Sequence, residues 1–159
     1  DDKVMGFEAN GGCLTATAFD RGEMHLAPLP TRDCFLPILA LLAIRAGVDK
    51  PLSQIAAAYG LPVALSDRIE NFPVEKSAKL MAHLQEGTKN AMEFLWPLGT
   101  VASVSKLDGL RMTLEDGSVI HLRPSGNAPE MRCYVEAVSA GEARRIMTSA
   151  LALIAQWKP

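Results

Sequence analysis

The chain predicts an α/β protein of the α+β kind, built as two successive units, the second rich in antiparallel hairpins. Three observations carry this. Strand-like runs are separated by Asp108-Gly109 and Asp116-Gly117, whose glycines supply the positive φ that tight hairpin turns need. The last segment, Gly141 to Trp157, sets Ala143, Ile146, Met147, Ala150, Leu151 and Ile154 on one helical stripe. Between the halves, Leu61 to Ser66 follows a helix stop and contains Pro62, after which the pattern restarts. The expected units are therefore residues 1–65 and 66–159.

The elements follow in order. Val4 to Glu8 reads as a strand entering a turn at Asn10-Gly11-Gly12, where Asn and Gly tolerate positive φ cheaply. Cys13 to Phe19, with β-branched Thr15 and Thr17, reads as a second strand, and His25 to Pro30 as a proline-bounded connection. Thr31 or Asp33 caps a helix that runs to Ala46 and stops at Gly47, with Pro37 in its first turn or at a kink. Its apolar run, Phe35 to Ile44, predicts a buried helix and is too short to span a bilayer. A further helix is expected from Leu52 to Tyr59.

In the second half, Asp67 to Phe72 reads as a strand. Val74 to Gln85 reads as an amphipathic helix, with Val74, Ala78, Met81 and Leu84 apolar and Glu75, Lys76 and Lys79 solvated. Strands are expected at Val101–Lys106, Leu110–Leu114, Val119–Leu122 and Met131–Ala137. In the last, Met131, Cys133, Val135 and Ala137 share one face while Arg132, Tyr134 and Glu136 share the other. Trp96 and Trp157 are expected to pack. His83 and His121 are expected to be structural or exposed, and His25, in a loop, alone stays open to a functional role.

Bulk properties narrow the function. The apolar fraction of 48% and charged fraction of 21% are those of a soluble globular chain. A net charge of -2 argues against a general nucleic-acid binder while leaving room for local basic pockets. Cys13, Cys34 and Cys133 are odd in number and not at metal-ligand spacing, which predicts reduced, buried thiols and a cytoplasmic setting. No signal peptide, P-loop or dinucleotide motif is visible. The opening Asp1-Asp2-Lys3, without methionine and running at once into a strand, predicts a piece of a longer chain.

One loop concentrates chemistry: Arg123-Pro124-Ser125-Gly126-Asn127-Ala128-Pro129-Glu130-Met131-Arg132. Arg123 offers a planar fork for two oxygens of a phosphate, and Ser125 a hydroxyl donor. Gly126 lets the backbone approach an anion, and Asn127 donates through its amide. Arg132 adds a second cation, while the prolines stiffen the loop. The same residues also fit an ordinary β-turn with water-exposed arginines. A second candidate is Gly6-Phe7-Glu8-Ala9-Asn10-Gly11-Gly12. A carboxylate can accept from two neighbouring sugar hydroxyls, and Asn10 adds a donor and an acceptor. Its bland alternative is a strand end with an Asn-Gly turn.

Arg123 to Glu136 resembles the phosphate-binding signature of the α-D-phosphohexomutases, the phosphomannomutase/phosphoglucomutase superfamily: R-P-S-G-T-E-P, a short gap, then R-x-Y-x-E. Arg123, Pro124, Ser125, Gly126, Pro129, Arg132, Tyr134 and Glu136 match it, while Asn127 replaces threonine and Ala128 replaces glutamate. The first loop is similar to that family's sugar-binding G-E-x-S-G loop, with Glu8 and Gly11 matching and Asn10 in place of serine. Together with Pro28 to Asp33, these variants resemble a bacterial phosphomannomutase subgroup.

The resemblance implies a four-domain enzyme. A phosphoserine in the first domain donates phosphate, and a D-x-D-x-D loop in the second holds Mg²⁺; neither motif occurs in this chain. The chain would then be the end of domain three, contributing sugar contacts through Glu8 and Asn10, and the whole of domain four. Domain four would be a TATA-binding-protein-like antiparallel sheet packed by helices, gripping the non-reacting phosphate through Arg123, Ser125, Gly126, Asn127 and Arg132. The implied reaction interconverts hexose 6-phosphate and hexose 1-phosphate through a hexose 1,6-bisphosphate. Mg²⁺ and that bisphosphate belong to the full-length enzyme, and this chain's own motifs bind no metal. Mannose is favoured by subgroup, with glucose and glucosamine left open. The implied partners are the hexose phosphate and the missing N-terminal domains, not nucleic acid or membrane. A piece of domain three should expose apolar surface that self-association could cover, and the chain alone is expected to be inactive. The alternative is a non-catalytic sugar-phosphate or anion-binding module with no enzymatic parent.

Overall fold

The computed structural model describes residues 2–8 and 11–158. They form two compact units, one ending at Leu61 and the other beginning at Pro62.

The first unit contains β1 (Met5–Phe7), β2 (Cys13–Thr15), β3 (Phe19–Arg21), β4 (Met24–Leu26), β5 (Leu29–Asp33), α1 (Phe35–Ala46) and α2 (Leu52–Ala58). β1, β2 and β5 make one small sheet, and β3 and β4 pair as a separate hairpin. The strand expected at Cys13–Phe19 therefore stops at Thr15, and the expected connection at His25–Pro30 is largely strand. The threonines explain the early stop. The Thr15 hydroxyl, fully buried, accepts from Leu29 N–H at 2.8 Å, and the Thr17 hydroxyl accepts from Val4 N–H at 2.9 Å. Both side chains take backbone donors that a longer ladder would have used. His25 sits on β4 against Asp20, not in a loop.

Of the two cap candidates for α1, Asp33 serves: its carboxylate accepts from Leu36 N–H at 2.7 Å. Pro37 falls in the first turn. The expectation of a buried helix is corrected, because no residue of α1 is buried. Phe35 is 66% and Leu39 60% exposed. The helix is apolar nearly all round, and the small sheets of this unit cover little of it.

The second unit contains β6 (Val63–Ile69), α3 (Val74–Glu86), α4 (Thr88–Leu95), β7 (Val101–Ser105), β8 (Leu110–Leu114), β9 (Val119–Pro124), β10 (Met131–Ala137) and α5 (Ala140–Gln156). Its strands form one antiparallel sheet in the order β6-β10-β9-β8-β7. β6 begins at Val63 rather than Asp67, because it pairs with all of β10 from Val63↔Ala137 to Ile69↔Met131. The chain then turns at Asn71, which has positive φ, and Phe72 N–H donates to Pro129 C=O at 2.7 Å.

Helices cover one face of this sheet. Leu110, Met112, Ile120, Leu122, Met131 and Val135 from the strands join Leu80, Leu84, Leu95, Ile146 and Ile154 from α3, α4 and α5 in one core. The α5 stripe is as expected, except that Leu151 is only partly buried. Ser139 caps it, accepting from Glu142 N–H at 3.2 Å. The α3 stripe is rotated from the expected one. Ser77, Leu80, Met81 and Leu84 are buried, while Val74 is 63% exposed. A polar Ser77 hid the true i, i+3, i+4, i+7 series, and its hydroxyl is satisfied by Val74 C=O at 2.8 Å. α4 was not foreseen, and it buries Ala91 and Leu95 beside β7. Trp157 packs partly against the core, but Trp96 is 77% exposed.

Gly109, in the β7–β8 turn, has φ +71°, and a Cβ there would lie 2.4 Å from Leu122 C=O. Only glycine permits that turn to close against β9. Among the described residues no helix is long and apolar enough to cross a membrane. All three cysteines are unpaired; Cys13 and Cys133 are buried, whereas Cys34 is exposed, against expectation.

The two units should respond differently to truncation. Ile146→Ala should cost about 2–5 kcal/mol in denaturant unfolding, and Leu39→Ala in α1 under about 1 kcal/mol. The cysteines should also differ. Burial pushes the Cys133 thiol from 9.0 up to about 12. The native chain at about pH 8 should therefore be alkylated at Cys34 and spared at Cys133, with mass spectrometry locating the adduct. Because the folded-state value is the raised one, this group's contribution to stability is full below its unfolded value and lost as pH climbs through 9.0 towards 12.

Candidate functional site

In the second unit the site is built by the β9–β10 connection. Pro124 lies opposite Met131, and Ser125 N–H donates to Glu130 C=O at 2.9 Å, closing the base of the loop. Register then places Arg123 directly opposite Arg132, on the sheet face away from the helices. Arg132 Nη2 donates to Ser125 Oγ at 3.2 Å, and the Ser125 hydroxyl donates to Asn127 Oδ1 at 3.0 Å. Asn127 Nδ2 makes no hydrogen bond among the described residues. Arg123 turns its Nε to Asp108, 3.0 Å away in the β7–β8 turn. Ser125 thus links Arg132 to Asn127, and Arg123 shares the sheet face of Arg132.

Gly126 does not have positive φ, and a Cβ there would meet nothing within 4 Å. Glycine is not needed for the turn itself. It leaves the backbone uncovered on its open side, as close approach by a ligand would require.

Two neighbours went unforeseen. β6 sets Arg68 directly opposite Arg132 on the same face. Glu130 places Oε1 3.4 Å from Arg68 Nε and Oε2 3.8 Å from Arg132 Nε. The Arg68 pKa is raised, first by its hydrogen bond to Glu70 and then by the charge of Glu130. Both residues were visible in the sequence, but which strand lies beside β10 was not.

The first unit brings a different set together. Glu8 Oε2 accepts from Arg32 Nη1 at 2.6 Å, across from β5. That hydrogen bond, with the charge behind it, raises the Arg32 pKa. Glu8 N–H donates to Gly12 C=O at 2.8 Å, so the carboxylate sits on a closed turn. A Cβ on Gly12 would lie 2.5 Å from Arg32 Cδ and 3.1 Å from Glu8 Oε2. Gly12 is therefore the space in which this ion pair forms. Asn10 lies outside the described residues. Arg32 is the neighbour of Glu8 that the sequence did not reveal, since strand pairing brings the two together. Among the described residues no group of three His, Cys, Asp or Glu could hold a metal ion.

Residues 70–153 match the family model described as phosphoglucomutase/phosphomannomutase, C-terminal domain. The chain is 47% identical over 152 residues to a phosphomannomutase of Sinorhizobium fredii, covering 96% of this chain and 32% of that protein. It is 36% identical over 155 residues to a phosphomannomutase of Salmonella muenchen, covering 95% and 31%. A phosphoglucosamine mutase of Methanococcus aeolicus is 27% identical over 154 residues, covering 97% and 30%. The chain spans about a third of the length of these curated relatives.

Gly12→Ala should displace Arg32 from Glu8 at a cost of about 1–3 kcal/mol. Loss of the slowed exchange of the Arg32 guanidinium protons in NMR spectra, with the second unit's signals unchanged, would show it.

Proposed function

This chain belongs to the phosphoglucomutase/phosphomannomutase family, and from that premise we propose that it is the phosphate- and sugar-gripping part of an enzyme that interconverts hexose 6-phosphate and hexose 1-phosphate. The second unit would be the last domain of that enzyme, and the first unit the end of the domain before it. The observation that carries the reading is the contact of Arg132 with Ser125 beside a cross-strand Arg123. Two guanidiniums, a hydroxyl, an unengaged amide and an open glycine converge on one side of one sheet. A phosphate dianion satisfies all of them, because guanidinium–phosphate hydrogen bonds are charge-assisted and often bidentate.

The chemistry of these residues is to bind and orient. Arg123 would exchange Asp108 for the phosphate, a small loss at a half-exposed ion pair. Ser125 would turn its hydroxyl from Asn127 to a phosphate oxygen, and Asn127 Nδ2 would donate to another. Such a grip addresses the phosphate and leaves the sugar orientation to other contacts, as a bisphosphate intermediate that must turn over requires. Glu8, held by Arg32, would accept from sugar hydroxyls. Mannose is the favoured sugar, on the strength of the two relatives named phosphomannomutase. Mg²⁺ is implied for the whole enzyme by its family. The described residues offer no cluster to hold it, and no step is assigned to it.

Titration of the chain with mannose 1-phosphate, followed by NMR, should give saturable shifts at residues 123–132. Arg123→Ala should weaken binding about tenfold or more, the worth of a lost charge-assisted hydrogen bond. Undiminished binding by a folded Arg123→Ala chain would overturn the phosphate assignment of this loop.

A further inference from the structure

The open face of the second sheet carries a row that the loop motif does not include. Arg68 on β6, Arg132 on β10 and Arg123 on β9 are consecutive cross-strand partners. Directly opposed residues sit about 4.5–5.5 Å apart at Cβ and point to the same side. Three guanidiniums in a line repel one another, and the structure compensates with interleaved carboxylates. Asp108 holds Arg123 at 3.0 Å, and Glu70 holds Arg68 at 2.7 Å. Glu130 is different, because it lies between two arginines with one oxygen towards each. Its side chain is only 21% exposed, so it is also the most covered carboxylate of the three.

Beside this carboxylate is a cavity of about 230 Å³ lined by Ser66, Asp67, Arg68, Glu130, Arg132 and Tyr134. It shares Arg132 with the Ser125 contact. A phosphate held by Arg132 and Ser125 therefore has an arginine on each side, Arg123 towards β9 and Arg68 towards β6.

We propose that Arg68 is a further phosphate-binding residue, and that Glu130 is a built-in competitor whose carboxylate bridges Arg68 and Arg132 where two phosphate oxygens would otherwise lie. The inference rests on the phosphate reading of the loop and adds a residue from outside it. Glu130 offsets the repulsion between the two guanidiniums it lies between. On binding, the dianion outcompetes a single carboxylate charge, and Glu130 withdraws. A monoanion lacks that advantage, so the arrangement favours phosphate monoesters over singly charged ligands.

The test is a set of titrations of the chain with mannose 1-phosphate. Arg68→Ala should weaken binding about tenfold, and Arg68→Lys should recover part of it, having the charge without the fork. Glu130→Gln should tighten binding severalfold, because the competitor's charge is gone. Arg145→Ala, on α5 and paired with Glu142, should bind as the unaltered chain does. Unaltered binding by Arg68→Ala while Arg123→Ala loses it would overturn this proposal and leave the loop assignment standing. Unaltered binding by Arg123→Ala would instead remove the loop assignment, and this proposal with it. Weaker binding by Glu130→Gln would overturn the competitor role, even were Arg68→Ala to fold poorly.

Discussion

The structure of the second unit depends on the register of β10. Its alternate residues Met131, Cys133, Val135 and Ala137 are buried under the helices, and that burial excludes any alignment with β6 and β9 shifted by one residue. A slip of one residue would turn the apolar set to water and the arginine into the core. The same alignment puts Arg132 between Arg68 and Arg123 and within reach of Ser125. The geometry of the candidate phosphate site is therefore set by hydrophobic burial on the opposite side of the sheet. No cation–anion attraction is needed to assemble it, and at half-exposed positions such attraction would contribute little.

The first unit is organised on a smaller scale. Among its described residues only Gly12, Cys13 and Thr15 are buried, and its order comes from side chain to backbone hydrogen bonds and the Glu8–Arg32 pair. The pair lies where a side chain at position 12 would stand. This unit has the composition of a buried structure without the coverage, most plainly along α1.

Much of this was legible in the residues. The β8–β9 hairpin, the α5 stripe and the two-faced β10 all follow from local periodicity and from glycine at defined turns. The clustering of donors at Arg123 and Ser125 was legible for the same reason, since they are close in sequence. Non-local and ambiguous features were not. α3 was misread by part of a turn, because its true stripe includes Ser77. β2 ended early because Thr15 and Thr17 bond to distant backbone. Arg32 and Arg68 were passed over because Arg32 meets Glu8, and Arg68 meets Arg132 and Glu130, only through strand pairing, which no short window encodes. The tie between Arg132 and Ser125 was not expected, and the turning of Arg123 towards Asp108 depends on the Gly109 turn closing against β9.

Because helices lie on one side of the second sheet, the two sides of β10 are subject to different selection. Its odd-numbered residues answer to packing, where volume and shape are tightly constrained. Its even-numbered residues answer to solvent and ligand, where charge can change without disturbing a neighbour in the core. Charge on this surface can therefore be altered residue by residue while the fold beneath it hardly changes.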